Sequence, residues 1–580
     1  MRSSRTLVLA VATIAVWLSM PGIAQRGQIS QADLKEWLTY IASDELQGRQ
    51  LFTEGLGLAG AYIAGHLKEW GVVPAGDAGT YFQTVKILGM RVRSNSSITV
   101  TVNGQSRTFK DGDGVTFPRN QGGKQTIVAP VEFVGYGITF KPLNHDDYAG
   151  RDMKGKIALF IGRGVRDMTA VHNRIINARG RDATEIERAM ASIGPVTANA
   201  GRGRGPAPNA AADEAGRGGA PPRATPAPPV APTTNPAQRV DFQTARNVAL
   251  LTPPQITASD AFFEFVFSGS GQSYETLKAL AAKQEPLPEI SLKDVSITIN
   301  VDAEYETVQT RLTRNVVGLV RGTDAKLRDT YVGLGAHLDH VGYQQFVPAG
   351  GAGAGLIGTC TGQSRPTPRP GDIINNGADD DGSGTVSLMA IAKAFATGQK
   401  PKRSVMFVWH SGEEDGLHGS RYMSDHPVLP IEQMVAMLNI DMVGRNRCDD
   451  PAQANTVYLV GSERISTELH NLSEQANAAL PRRMTLDYEY NDVADTESLY
   501  TRSDHYSYAS KGVPVIFYTT GLHRDYHYLT DEVDKIEFGK MARIAELVHA
   551  TAARVANLDH PPARDFAGPR VGKGQTGPIK

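Results

Sequence analysis

Apolar and polar residues repeat with two different periods along this chain, and the change of period divides it into regions. Leu34, Trp37, Leu38 and Ile41 recur at helical spacing. A second helical run passes through Ala59 to Leu67 and closes at Gly71, so residues 31–74 are predicted to be helical. From about residue 97 the period falls to two. Ser97 to Val102 alternates, and Asn103-Gly104 follows as a hairpin turn. Val131 to Val134, Lys156 to Ile161 and Ser296 to Ile299 continue this texture, and the middle of the chain is expected to be mainly β.

From Asn315 onward, short apolar runs alternate with longer helical segments. Strands are predicted at 315–320, 331–337, 404–409, 435–440, 457–460 and 513–519, with helices at 384–396, 465–479 and 535–556. This alternation predicts an α/β fold, with a mixed, mostly parallel central sheet and helices on both faces.

Three stretches stand outside these patterns. Residues 197–238 are Ala, Pro, Gly and Arg in the main, without an aromatic side chain. Such a segment buries too little apolar surface to offset its ordering entropy, and a disordered insertion is expected. Residues 561–580 read as a flexible tail. At the other end, Arg2 and Arg5 precede the apolar run Leu7 to Leu18, and small residues follow at Gly22 and Ala24. This is the pattern of a signal peptide over residues 1–24. The run is short for a bilayer, so the mature chain is expected to be exported (periplasmic or secreted) without a membrane span.

Charge and cysteine content narrow the function classes. The 60 Lys and Arg nearly balance 61 Asp and Glu, which argues against a nucleic-acid surface. Two cysteines exclude a disulfide-rich scaffold and a Cys-ligated cluster.

The chemistry gathers where the predicted strands end, which is where open α/β sheets bind ligands. Five segments there carry acids or histidines: Gly335 to His340, Gly377 to Gly384, Ser411 to Gly416, Asn439 to Gly444 and Asp525 to Asp531. Three successive carboxylates, Asp379, Asp380 and Asp381, are costly together unless solvent or a cation neutralises them. Each segment alone fits a helix cap or a solvated acidic loop. Together, two histidines and several carboxylates suit a pair of borderline or hard divalent ions, and two zinc ions sharing one carboxylate would use the set fully. Hydrolysis is the reaction class expected of such a site. A serine hydrolase is the rival, but no Gly-x-Ser-x-Gly elbow sits at a strand-to-helix turn.

These segments, in this order, resemble the zinc exopeptidase family of bacterial leucyl aminopeptidase and aminopeptidase Y. The resemblance covers about residues 300–560 and the N-terminal helices. It implies that His337 and Asp441 hold one Zn2+, that Glu414 and His527 hold a second, and that Asp380 bridges them. It further implies a cis peptide between Asp380 and Asp381, an orienting role for Asp339 toward His337, and Glu413 as general base. Tyr526 resembles the tyrosine that steadies the oxyanion in some relatives. Arg502 to His505 resembles a recurring substrate-side segment, with no role assigned.

The middle region resembles a protease-associated domain, on Val131 to Gly137 and on Asp147-Tyr148 through Gly155 to Leu159. The implied organisation is a zinc peptidase domain over 25–95 and 300–560, interrupted by a β domain over 96–299. The implied function is removal of N-terminal residues from peptide substrates. A carboxypeptidase of the glutamate carboxypeptidase kind, a glutaminyl cyclase and a non-catalytic receptor-like relative remain alternatives. Cys360 and Cys448 follow two of the metal motifs, and in an exported protein a disulfide between them is expected.

Overall fold

The computed structural model describes residues 29–119, 122–168, 172–196, 241–245, 251–344, 360, 363–492, 495–566 and 568. The expectations for residues 1–24 and 197–238, and most of that for 561–580, lie outside them.

Ser30 caps the helix Gln31–Ile41 by accepting a hydrogen bond from the Asp33 amide, and Thr53 caps Glu54–Glu69 through Leu56. The predicted apolar stripe is the buried one: Leu34, Trp37, Leu38 and Ile41 all enter the main core.

The chain then builds a sheet whose strand order is Asp241–Thr244, Phe82–Ser94, Ala303–Val320, Ser404–His410, Tyr331–His337, Met434–Ile440, Val515–Thr519, Thr456–Val460 and Thr485–Asp487. The four central strands, from Ser404–His410 to Val515–Thr519, run parallel, and their carboxyl ends therefore share one edge. Antiparallel strands flank them on both sides. Each central strand is buried along its length and alternates between two cores. Val405, Phe407 and Trp409 face the helices Gly384–Thr397 and Phe538–Asn557, whereas Met406 and Val408 face Met423 and Tyr508 on the other side. Coverage of both faces explains why these runs read as continuously apolar.

Residues 97–301 include a closed eight-stranded barrel. Its order is Ala191–Pro195, Gln255–Ala258, Gly114–Thr116, Gln105–Asp111, Ser97–Val102, Val295–Val301, Gln125–Phe133 and Ile157–Leu159. The Asn103-Gly104 turn has φ of 49° and 81°, the positive pair that a two-residue hairpin requires. The region also contains helices that period-two reading passes over, Asn173–Glu185, Asp260–Phe267 and Tyr274–Ala282. In Asp260–Phe267, Phe262, Phe263, Val266 and Phe267 fall at helical spacing and plug the barrel core. Phe82–Ser94 enters the barrel and Ala303–Val320 leaves it, paired antiparallel over nearly their whole shared length.

Cys360 and Cys448 form a disulfide, with Cα atoms 5.2 Å apart. Among the described residues, no helix is long and apolar enough to cross a membrane.

Candidate metal centre

The five segments picked out in the sequence meet at the shared carboxyl edge of the central strands. His337 ends its strand, and the loops after Ser404–His410 and Met434–Ile440 bring Glu413, Glu414 and Asp441 beside it. Asp380 comes from the turn that opens the helix Gly384–Thr397, and His527 from the loop after Val515–Thr519.

The three consecutive aspartates are kept apart by pointing in different directions. Asp379 turns inward, where it accepts from the Gly444 amide at 2.6 Å and faces His523 at 3.2 Å. Asp381 accepts from the backbone amides of His337, Gly384 and Met442 at 3.0–3.1 Å, tying three loops together. Asp380 alone reaches the centre, and the peptide bond between Asp380 and Asp381 is cis. Its backbone amide is held by Asp531, which also accepts from the amide of Asp379.

Asp380 serves two sets of donors. Its Oδ1 lies 3.2 Å from His337 Nε2, which is 3.7 Å from Asp441 Oδ1. Its Oδ2 lies 2.9 Å from His527 Nε2, which is 3.0 Å from Glu414 Oε2. His337, Asp380 and Asp441 form one group of potential metal ligands, and His340, Asp380, Glu414 and His527 form another. Asp380 Oδ2 and His527 Nε2 are near neighbours, yet neither has a hydrogen-bond partner in that geometry. Two buried polar atoms in close approach without a hydrogen bond between them fit a cation held by both. The donor set of imidazoles and carboxylates fits zinc.

The candidate ligand side chains are themselves held. His337 Nδ1 meets the backbone oxygen of Asp339 at 3.0 Å, which leaves Nε2 for the centre. The Asp339 carboxylate stands 3.9 Å from that ring. It accepts instead from the amides of Gly412 and Glu413 at 2.7 and 3.1 Å, so the expected orientation of His337 comes from the main chain of Asp339. Ser503 donates to Asp441 Oδ2 at 2.7 Å, and Asn439 donates to Ser503. This gives the segment Arg502 to His505 a place beneath the candidate ligand Asp441. Arg49, fully buried, donates to the carbonyl oxygens of Leu338, Ile41, Asn376 and Gly377 at 2.7–3.0 Å.

Burial dominates the protonation of the centre. It would raise Asp380, but His337 and His527 hold that carboxyl well below its usual range. Glu414 likewise meets burial and the charge of Asp380, yet His527 and His340 keep it down to about 2. Burial pushes Glu413 well above its usual value against the pull of His337, and Glu414 and Asp441 push the same way. Glu413 is thus a pocket-lining carboxyl whose affinity for a proton is raised by burial and by its acidic neighbours.

Glu413 lines a pocket with His337, Asp380, Asp441 and Tyr526. Met442, Leu499, Phe517 and Leu522 form its apolar wall. The Tyr526 hydroxyl accepts from Arg502 at 3.1 Å, and burial raises its pKa, so it stays a proton donor. Arg502 also binds Glu497 at 2.9 Å.

His340 was not singled out in the sequence, although it directly follows the His-x-Asp motif. Its Nδ1 lies 2.9 Å from Glu414 Oε1 and 3.8 Å from Asp380 Oδ2. His523 and Asp531, which brace the aspartate turn, were passed over too.

Residues 315–552 match Peptidase family M28. The chain is 31% identical over 192 residues to a probable leucine aminopeptidase of Arthroderma otae, covering 31% of this chain and 48% of that protein. It is 25% identical over 313 residues to leucine aminopeptidase 2 of the same organism, covering 49% of this chain and 52% of the relative. The chain thus spans about half the length of the curated relatives it matches. Among solved structures, an aminopeptidase from Aneurinibacillus sp. strain AM-1 aligns over 94% of this chain and 98% of its own, at 16% identity and a TM-score of 0.42.

Proposed function

From the match of residues 315–552 to peptidase family M28, we propose that this protein is an exported two-zinc aminopeptidase that removes N-terminal residues from peptides. The observation that carries the reading is the division of Asp380, whose two oxygens face two separate donor groups. His337 and Asp441 would hold one zinc, Glu414 and His527 the other, and Asp380 would bridge them. Bound zinc would polarise the scissile carbonyl and make a water molecule more acidic.

The chain's own residues do the rest. Glu413 accepts the proton of the attacking water and passes it to the departing amine. Its raised proton affinity suits both steps. The Tyr526 hydroxyl donates to the substrate oxygen as negative charge develops there, while Arg502 fixes its direction. Asp339 holds the backbone that presents Glu413 and Glu414. Met442, Leu499, Phe517 and Leu522 favour an apolar N-terminal side chain.

An aminopeptidase needs carboxylates near a free amine, and a carboxypeptidase needs a free guanidinium near a carboxylate. The Arg502 guanidinium lines the pocket but is engaged by Glu497 and Tyr526, so it is not free to receive a substrate carboxylate. We read the barrel as a protease-associated type of insertion that shapes the approach to this pocket. Zinc-loaded protein should cleave aminoacyl anilides and spare N-blocked peptides with free carboxyl ends. The reverse preference would overturn the assignment of substrate polarity.

A further inference from the structure

We propose that His340 is a direct ligand of the zinc held by Glu414 and His527, giving that ion two imidazoles and two carboxylates. The inference rests on the two-zinc reading above.

Nδ1 of His340 is the nitrogen aimed at the centre. It stands 2.9 Å from Glu414 Oε1, while His527 stands 3.0 Å from Glu414 Oε2, so one carboxylate is flanked by two imidazoles. His340 meets the second oxygen of the group, Asp380 Oδ2, at 3.8 Å. One donor atom from each of His340, Asp380, Glu414 and His527 lies within 4.8 Å of the others, the spacing of ligands around a single ion.

The ring is built into this position. It is fully buried and edge-on to the His527 ring, with centroids 5.6 Å apart. A Cβ on Gly377 would stand 2.5 Å from His340 Cδ2, and Gly377 has φ of +57°. Glycine at 377 therefore makes room for the imidazole, and the backbone of His340 is pinned by its amide donating to the Arg49 oxygen. His340 Nε2 has no hydrogen-bond partner in this structure, so packing holds the ring and Nδ1 makes its polar contacts at the centre.

The two ions would then be unequal. The His337 site has one imidazole, and the His340 site has two. Zinc ranks as a borderline ion that gains from imidazole donors, so the His340 site is the one that keeps its metal longest in the wild type.

X-ray absorption on the fully loaded protein tests this directly. Wild type should show about 1.5 imidazoles per zinc, three histidines over two ions, and His340→Ala about 1.0. Competition with a zinc chelator should show the tighter site of His340→Ala weakened by about 100-fold or more. His340→Gln, checked for native circular dichroism, guards against a folding defect and should lose the same imidazole signal. Two zinc ions with an unchanged imidazole count in both variants would overturn the ligand assignment and reduce His340 to a hydrogen-bond partner of Glu414. A wild type that binds no zinc would overturn the two-zinc reading as well, so the two failures are distinguishable.

Discussion

Arg174, on the barrel helix Asn173–Glu185, places its guanidinium 3.2 Å from the carboxylate of Glu497 beside the candidate metal centre. Glu497 in turn binds Arg502, and Arg502 donates to the Tyr526 hydroxyl. A second tie joins the same barrel helix to the helix His505–Ala509, from Tyr506 to Glu185 at 3.1 Å. The barrel is therefore connected to a side chain of the pocket through three charged residues. Arg174 is half exposed, and an ion pair of that kind is worth about 0.2–1 kcal/mol. Arg174→Ala should raise KM by about 1.5- to 5-fold in steady-state kinetics. Arg502→Ala should cost far more, because it removes the buried partner of Glu497, leaving only the half-exposed Arg174, and frees the Tyr526 hydroxyl. Equal effects of the two substitutions would disprove the relay.

Glu413→Gln removes the proton acceptor while keeping its shape. Turnover should fall by about 10²–10⁴-fold, with zinc content by elemental analysis unchanged. A variant as active as wild type would reject Glu413 as the base.

Asp380→Ala should remove proper occupancy of both metal sites, because each donor group loses its shared oxygen. Thermal unfolding should shift down together with the loss of bound zinc. Retention of one zinc at full affinity would show that Asp380 belongs to a single ion.

His549 lies on the long C-terminal helix against the Phe395 ring, 4.4 Å between centroids, and burial lowers its pKa to about 4. The folded protein keeps this imidazole neutral, whereas the unfolded chain protonates it near 6.5. Between those values the unfolded state binds more protons, so stability falls as pH drops through this window. His549→Gln removes that contribution. Its melting temperature should decline less than that of wild type between pH 6.5 and 4.5, and a parallel decline would refute the assignment.

The Cys360–Cys448 disulfide spans a sequence separation of 88 residues. Cross-linking a loop of that size restricts the unfolded chain by about 4–5 kcal/mol in the loop-entropy picture. Replacing both cysteines by serine should lower the melting temperature, and reductant should bring wild type down to the same value. Unchanged melting would show that the cross-link does not restrain the unfolded state.

The parallel core of the fold was legible because its strands are buried on both faces, and a run such as Val405 to Trp409 has few other readings. The acids at the ends of those runs pointed to the centre for the same reason, since a carboxylate after a fully buried strand needs a partner. Other features left no trace in periodicity. The strand Phe82–Ser94 mixes Gln, Lys and Arg with its apolar residues, because its outer length pairs with Ala303–Val320 away from the core. The separate tasks of Asp379, Asp380 and Asp381 depend on a turn whose direction three identical side chains cannot reveal. His340 was hidden by its neighbours, because the ligand candidate His337 and its orienting partner Asp339 already stood within three residues of it. The support from Ser503, Asn439 and Asp531 comes across loops far apart in the chain, and spacing along the sequence carries no information about it.

Arg49 holds residues that the ribosome makes long after it. Its bond to the Leu338 oxygen joins positions 289 apart, and the whole barrel is synthesised between them. The N-terminal helices, with Leu34, Trp37, Leu38 and Ile41 meant for a core that does not yet exist, must wait while the barrel closes. The barrel can assemble early from its own strands, but the loops at Leu338 and Asn376-Gly377 cannot take their shape until they reach Arg49. A fragment cut to residues 315–552 should therefore emerge with its metal loops unbraced and an apolar face uncovered, prone to aggregate before it meets a metal ion. Supplying residues 29–72 as a separate piece is the manipulation that ought to rescue it.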